Sequence, residues 1–166
     1  IKEFLSALEA VDGLRVIFTM PNSDTGRDAI ADAIADYVGR HPDTSKAFAS
    51  LGLRRYLSAL HYAKAAVGNS SSGIIEVPSF GIPSLNIGDR QKGRLASESV
   101  VNCGTEKEEI LKGLRLCLSP EMRRRAKNAD NPYAKDGTAS LILDRLKHAD
   151  LAALRTKHFY DIPVKG

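Results

Sequence analysis

Residues Gly68-Asn69-Ser70-Ser71-Ser72-Gly73 are of the types, and in the order, that hold an anion. Three small hydroxyl donors stand in a row between two glycines. They follow the apolar run Ala65-Ala66-Val67 and precede Ile74 to Phe80, so they read as a loop leaving a buried strand and opening a helix. The first N–H groups of a helix have no partner inside it, and the helix dipole favours negative charge at that end. Serine hydroxyls add donors without bulk, and Gly73 lets an anion approach the backbone. The pattern is that of a phosphate cradle. It is not a Walker loop, because no Gly-Lys-Ser/Thr follows. One serine would suffice for an N-cap; three between glycines go beyond that need.

Two further groups fall where such a cradle would use them. Glu76 lies about one turn beyond Ser72, where a carboxylate can accept hydrogen bonds from a ribose diol. The run Asp89-Arg90-Gln91-Lys92-Gly93-Arg94 puts three cations in one loop, enough to neutralise a diphosphate, with an arginine binding it in bidentate fashion. Taken alone, each has a plain alternative: a solvated helix glutamate and an exposed basic loop. Asn22, Asp24 and Asp28 close the first strand and open its helix, where capping is the simpler reading.

These groups need elements to carry them, and the chain supplies a strand–loop–helix rhythm. Arg15 to Thr19 predicts a strand that stops at Pro21-Asn22-Ser23-Asp24. Ile30, Ala33, Ile34 and Val38 give Asp28 to Val38 helical spacing, closed by Gly39 and Pro42. Ala47 to Leu51 predicts a second strand ended by Gly52, and Tyr56, Leu57, Leu60 and Ala63 mark the next helix. Strands at 65–68, 84–87 and 99–102 and helices at 106–118 and 141–151 follow. Pro78 removes a backbone donor, so the helix after the serines is expected to be short or kinked. Alternating strands and helices imply an α/β fold, a parallel sheet with helices on both faces. Ligands of such sheets sit at the carboxyl ends of the strands, where the polar loops fall. The irregular tail from His158 to Gly166 is expected to pack on a further domain.

Composition narrows the classes. The 166 residues suit one domain, and 43% hydrophobic with 27% charged residues is an ordinary globular balance. No apolar run approaches the ~20 residues of a membrane-spanning helix, and the start Ile1-Lys2-Glu3-Phe4 does not read as a targeting peptide. The missing initiator Met is read as the mark of a piece of a longer protein. Cys103 and Cys117, without metal-ligand spacing, read as buried thiols in a reducing cytoplasm, with no metal site expected. The basic runs Arg54-Arg55 and Arg123-Arg124-Arg125 lack interleaved aromatics, so they read as solvated surface, not a nucleic-acid face. The net charge of +4 suits a small anionic ligand.

The stretch from Gly68 through Glu76-Val77-Pro78-Ser79-Phe80-Gly81-Ile82-Pro83 resembles the UDP-N-acetylglucosamine 2-epimerase family. The continuation Leu85-Asn86-Ile87-Gly88-Asp89-Arg90-Gln91-Lys92-Gly93-Arg94 is similar to its hydrolysing branch, which forms N-acetylmannosamine for sialic acid synthesis. Phe18 to Asp24, Arg55 to Leu60, Asn131-Pro132-Tyr133 and Asp136-Gly137 resemble the family too, so the likeness covers nearly the whole chain.

The resemblance implies a glycosyltransferase-B-type fold of two Rossmann-like halves, with residues 1–166 as the second, UDP-binding half. It implies that Ser70, Ser71, Ser72 and Gly73 hold the diphosphate, that Glu76 binds the ribose hydroxyls, and that Leu51 and Tyr56 flank the uracil. Arg90 would bind the phosphates, with Arg94 as its competitor, and Asn22 would face the substrate from the cleft wall. The family reaction eliminates UDP across C1 and C2 of the sugar and then adds water. Its acidic catalytic residues and a functional histidine belong to the first half, so no catalytic residue is assigned to this chain and no turnover is expected from it alone. The resemblance further implies UDP-N-acetylglucosamine and the first half as partners, a homo-oligomer at full length, and no cofactor or metal. A glycosyltransferase of the same architecture and a non-catalytic UDP-sugar sensor stand as the alternatives.

Overall fold

A computed structural model describes residues 1–20, 26–156 and 159. Asn22 and Asp24, the turn they were expected to form, and most of the tail, His158 included, lie outside the described residues. The chain divides into two units, Ile1–Ala134 and Lys135–Gly166.

The first unit runs α1 (Lys2–Glu9), β1 (Val16–Thr19), α2 (Arg27–Arg40), β2 (Ser45–Phe48), α3 (Gly52–Tyr62), β3 (Ala66–Gly68), α4 (Ser72–Ile75), a 3-10 turn (Val77–Phe80), β4 (Ser84–Ile87), β5 (Val100–Cys103), α5 (Lys107–Leu118) and α6 (Pro120–Asn128). Every strand pairing is parallel, as the rhythm of the sequence requires. Among the described residues the strands form two hydrogen-bonded groups, β1-β2 and β3-β4-β5, around one core. Phe18 of β1, Leu85 of β4, Leu5 and Leu8 of α1, Ile34 and Tyr37 of α2, and Ile110 and Leu114 of α5 meet in that core. Phe18 and Tyr37 stack edge to face at 5.5 Å between centroids.

The helix of α5 packs on one face of β4. A Cβ on Gly113 would stand 2.5 Å from Leu85 Cδ1, so only a hydrogen fits there. The opposite face of β4 carries α4, where a Cβ on Gly73 would stand 2.6 Å from Ser84 Oγ. Helices therefore cover both faces of β3-β4-β5, as expected of a parallel sheet. The β1-β2 pair departs from this. Phe18 faces the core, but Ile17 and Phe48, on the other face, are 57% and 42% exposed.

Most expected elements are present with shifted ends, and three differences have physical causes. The second strand is Ser45–Phe48, not 47–51, because it pairs residue for residue with Val16–Thr19 and stops where that partner stops. Gly52, expected to end the strand, opens α3, and Leu51 is that helix's N-cap residue. The segment 74–80 is not one helix: α4 is a single turn, and Pro78 is the second residue of the 3-10 turn after it. The break leaves the Ile75 carbonyl to Asn131, whose Nδ2 donates to it at 2.9 Å and to Ser79 Oγ at 2.6 Å. Asn131 of the Asn-Pro-Tyr motif thus satisfies an acceptor that the helix itself abandons.

Two helices escaped the sequence reading. α1 is apolar only on the face with Leu5, Ala7 and Leu8. α6 begins with Ser119 as N-cap, its Oγ accepting from the Met122 amide at 3.2 Å, and with Pro120 in the first turn. The basic run Arg123-Arg124-Arg125 lies on this helix, where Arg125 pairs with Glu98 across exposed surface. Cys117 is buried and Cys103 half-buried; burial, aided by the neighbouring Cys103, pushes the Cys117 thiol up to about 12. No helix of the described residues is long and apolar enough to cross a membrane.

In the second unit, α7 spans Thr138–His148, earlier than the expected 141–151. Its end is set by Asp150, whose Oδ1 accepts from the amides of Ala152 and Ala153 and so starts a separate turn. None of the α7 side chains is buried, and Leu141, Ile142, Leu143 and Leu146 are all more than half exposed.

Candidate functional site

Parallel pairing aligns the strand ends that the site needs. Gly68 at the end of β3 stands opposite Asn86 near the end of β4, and Ile87 stands opposite Cys103. The serine loop after β3 and the basic loop after β4 therefore leave the sheet side by side. One hydrogen bond joins them: Gln91 Nε2 donates to the Asn69 carbonyl at 2.9 Å.

The serine loop is folded around Ser70. The Ser70 carbonyl accepts from the Gly73 amide at 3.1 Å, and its Oγ accepts from the Ser72 amide at 3.3 Å. The Ile74 and Ile75 amides go to the Ser71 carbonyl at 3.0 and 2.9 Å. The first-turn amides expected to face an anion thus have acceptors inside the loop, while the amides of Ser70 and Ser71 take no part in these bonds. Because α4 has a single turn, its dipole is small, and hydroxyls and loop amides carry more of the site's donor strength than the sequence suggested.

Gly73 also has a second reason to be glycine: a Cβ there would meet the hydroxyl of Ser84, which is only 2% exposed. Gly73→Ala is expected to cost about 1–3 kcal/mol of stability, as overpacking does. The same change in a Ser84→Ala background should cost much less, because the clashing oxygen is gone. A double-mutant cycle by urea unfolding reads this, and equal costs in both backgrounds would show that the contact with Ser84 is not what excludes a side chain.

Tyr56 and Glu76 complete the cluster. Tyr56, on α3, shares a 2.6 Å hydrogen bond with Ser72 Oγ. Burial raises the Tyr56 phenol above its usual range; the Ser72 bond works against this, and the Glu76 carboxylate adds to it. Glu76 lies one turn on from Ser72, its amide donating to the Ser72 carbonyl at 3.0 Å. Glu76 follows α4, and its Oε2 is buried without a hydrogen-bond partner among the described residues. His61, also on α3, packs edge-on against Phe80 at 4.9 Å and so fixes α3 against the 3-10 turn.

The structure thus brings Ser70, Ser71, Ser72, Gly73, Glu76 and Tyr56 together, with the loop carrying Arg90 and Arg94 tied on by Gln91. Arg90 and Arg94 are exposed, and the Arg94 amide closes a turn onto the Gln91 carbonyl at 3.2 Å. Leu51 is half-buried at the start of the helix that bears Tyr56. Among the described residues no group of three or more His, Cys, Asp or Glu side chains could hold a metal ion. The sequence reading missed Gln91 and Asn131 as organisers of the site. Each is an amide side chain in a loop, a type whose partners are distant in sequence.

Comparison with known proteins bears on this arrangement. The family model for UDP-N-acetylglucosamine 2-epimerase matches residues 1–147. The chain is 35% identical over 98% of its length to a GDP/UDP-N,N'-diacetylbacillosamine 2-epimerase (hydrolyzing) of Campylobacter jejuni, of which it covers 42%. It is 33% identical, again over 98% of its length, to the polysialic acid biosynthesis protein P7 of Escherichia coli, of which it also covers 42%. Among solved structures, the UDP-GlcNAc 2-epimerase of Neisseria meningitidis bound to UDP-GlcNAc superposes with a TM-score of 0.68 at 16% identity, over 89% of this chain and 41% of that one. The chain therefore spans less than half the length of the relatives it matches, and its fold is that of one half of the glycosyltransferase-B-type architecture. A family match over nearly nine-tenths of the residues, with parallel strands that set a serine loop beside a basic loop, establishes that this chain belongs to the UDP-N-acetylglucosamine 2-epimerase family.

Proposed function

We propose that this chain is the UDP-binding half of a hydrolysing UDP-sugar 2-epimerase. The observation that carries the reading is the cluster of Tyr56, Ser72 and Glu76 at the carboxyl end of β3, with a buried carboxylate oxygen left unpartnered. A carboxylate held that way suits the paired hydroxyls of a ribose. The serine hydroxyls and the amides of Ser70 and Ser71 suit the diphosphate, and Arg90 and Arg94 bring the countercharge. A phosphate oxygen also competes with Ser70 Oγ for the Ser72 amide, a long bond that exchanges at little cost. Leu51 and Tyr56 then border the uracil, and Asn22 faces the sugar.

In the reaction, this half stabilises the departing diphosphate. Cations and fixed N–H dipoles act where negative charge builds as the C1–O bond breaks. The carboxylates that move protons at the sugar belong to the first half of the protein. The complete enzyme works as a homo-oligomer in the cytoplasm.

Calorimetric titration of the chain with UDP, uridine and pyrophosphate tests the reading. The expected result is UDP binding tighter than either fragment alone. Pyrophosphate binding as tightly as UDP would reduce the site to a general anion cradle, and absence of any UDP binding would overturn the proposal for this chain.

A further inference from the structure

Gln91 sits between Arg90 and Lys92 in an exposed basic loop, yet only 6% of its surface is accessible. A glutamine in such a loop ordinarily points to water. Burying an amide is tolerated when both its ends are bonded, and here only one is. Nε2 donates to the Asn69 carbonyl at 2.9 Å, while Oε1 is buried without a partner among the described residues. Turning the amide over would set Oε1 against the Asn69 carbonyl, two acceptors face to face, so the bond chemistry fixes which end is which.

What Nε2 holds is half of a peptide group. The Asn69 carbonyl and the Ser70 N–H belong to one rigid plane and point in opposite directions. Gripping the carbonyl therefore aims the Ser70 N–H. Ser70 in turn holds the amides of Ser72 and Gly73 through its Oγ and carbonyl. The same bond keeps the loop of Arg90, Lys92 and Arg94 against the serines.

We propose that Gln91 is a positioning residue for the diphosphate: it locks the Asn69–Ser70 peptide so that the serine amides and the loop cations face the same phosphates. The inference rests on the UDP-binding reading. It predicts a defect confined to the phosphate part of the ligand.

The test compares wild type, Gln91→Met and Gln91→Glu, with UDP and uridine as probes and thermal unfolding as the control. Met keeps the volume and removes the hydrogen bond. It should lower UDP affinity about 5- to 20-fold, leave uridine affinity unchanged, and leave the melting temperature equal or higher. Glu adds a pH signature. Ionised at about pH 8, it repels both the Asn69 carbonyl and the phosphates; burial beside an acceptor raises a carboxyl above the usual value of about 4.3, so on acidification toward about pH 4–5 it takes up a proton and donates to that carbonyl as glutamine does. UDP affinity of Gln91→Glu relative to wild type should recover on acidification, and that of Gln91→Met should not. Taking the ratio to wild type at each pH removes the titration of the phosphate itself and of Asp89 and Glu76. UDP binding by Gln91→Met equal to wild type overturns the proposal alone. Parallel losses for UDP and uridine with a lower melting temperature also overturn it, as a merely structural role would give that. A wild-type chain that binds no UDP overturns the nucleotide reading, and this inference with it.

Discussion

Glu76→Ala is expected to weaken UDP binding by about ten- to a hundredfold while leaving the chain as stable as before or slightly more so. The size follows from the worth of hydrogen bonds to a charged group, about 1.5–3 kcal/mol. The sign on stability follows from burial. Glu76 Oε2 is buried and unpartnered, so in the unliganded protein the carboxylate is a cost, and removing it relieves that cost. A residue kept for packing would behave the other way. The neighbouring phenol supplies an independent check. Because the Glu76 charge is one of the causes holding the Tyr56 phenol high, Glu76→Ala should let it ionise at lower pH, visible in the tyrosinate absorbance. Titration with UDP and uridine should show the loss with both ligands, because both carry the ribose diol; pyrophosphate affinity should not change. Intact UDP affinity in the variant would remove Glu76 from the site. A large fall in melting temperature would make it a structural residue.

The strands were readable because parallel strands buried on both faces leave short apolar runs between polar loops, as at Ala65-Ala66-Val67 and Ser84 to Ile87. The serine loop was readable because a site made of consecutive residues is local in sequence. What holds the loop in place was not, since Tyr56, Gln91 and Asn131 reach it from 16, 22 and 56 residues away. No periodicity records such bonds. Strand ends were misjudged where the partner decides: Ala47 to Leu51 has strand composition, but β1 offers pairing only as far as Thr19. Gly73 shows a subtler limit. Its place after three serines suggests a ligand-facing reason, and the structure adds Ser84 behind it. A glycine in sequence announces close approach without saying from which side.

The other large effect concerns the wall behind the site. Leu85 is fully buried, and Leu85→Ala should cost about 3–5 kcal/mol, the transfer term plus the cavity it leaves. Gly113 makes the prediction sharper. A glycine inside α5 is less favourable than alanine by about 1 kcal/mol, yet alanine would set its Cβ 2.5 Å from Leu85 Cδ1. Gly113→Ala alone is therefore expected to destabilise, because the overpacking of about 1–3 kcal/mol exceeds the gain in helix propensity. In the Leu85→Ala background the sign should reverse: the clash is gone, the methyl fills part of the cavity, and the propensity gain remains. Urea unfolding of the four proteins measures this coupling, and additivity within about 0.5 kcal/mol would mean that the glycine is not there to admit Leu85. The consequence for ligand binding comes from alternation along β4. Leu85 faces α5, while Ser84 faces α4 and the serine loop. The doubly substituted protein, where folded, should keep its affinity for UDP, since the change lies on the far face of the strand from the serines. A loss of UDP binding there with normal unfolding would mean that α5 sets the height of β4, and through it the loop from Gly88 to Arg94, so that helix and site could not be varied separately.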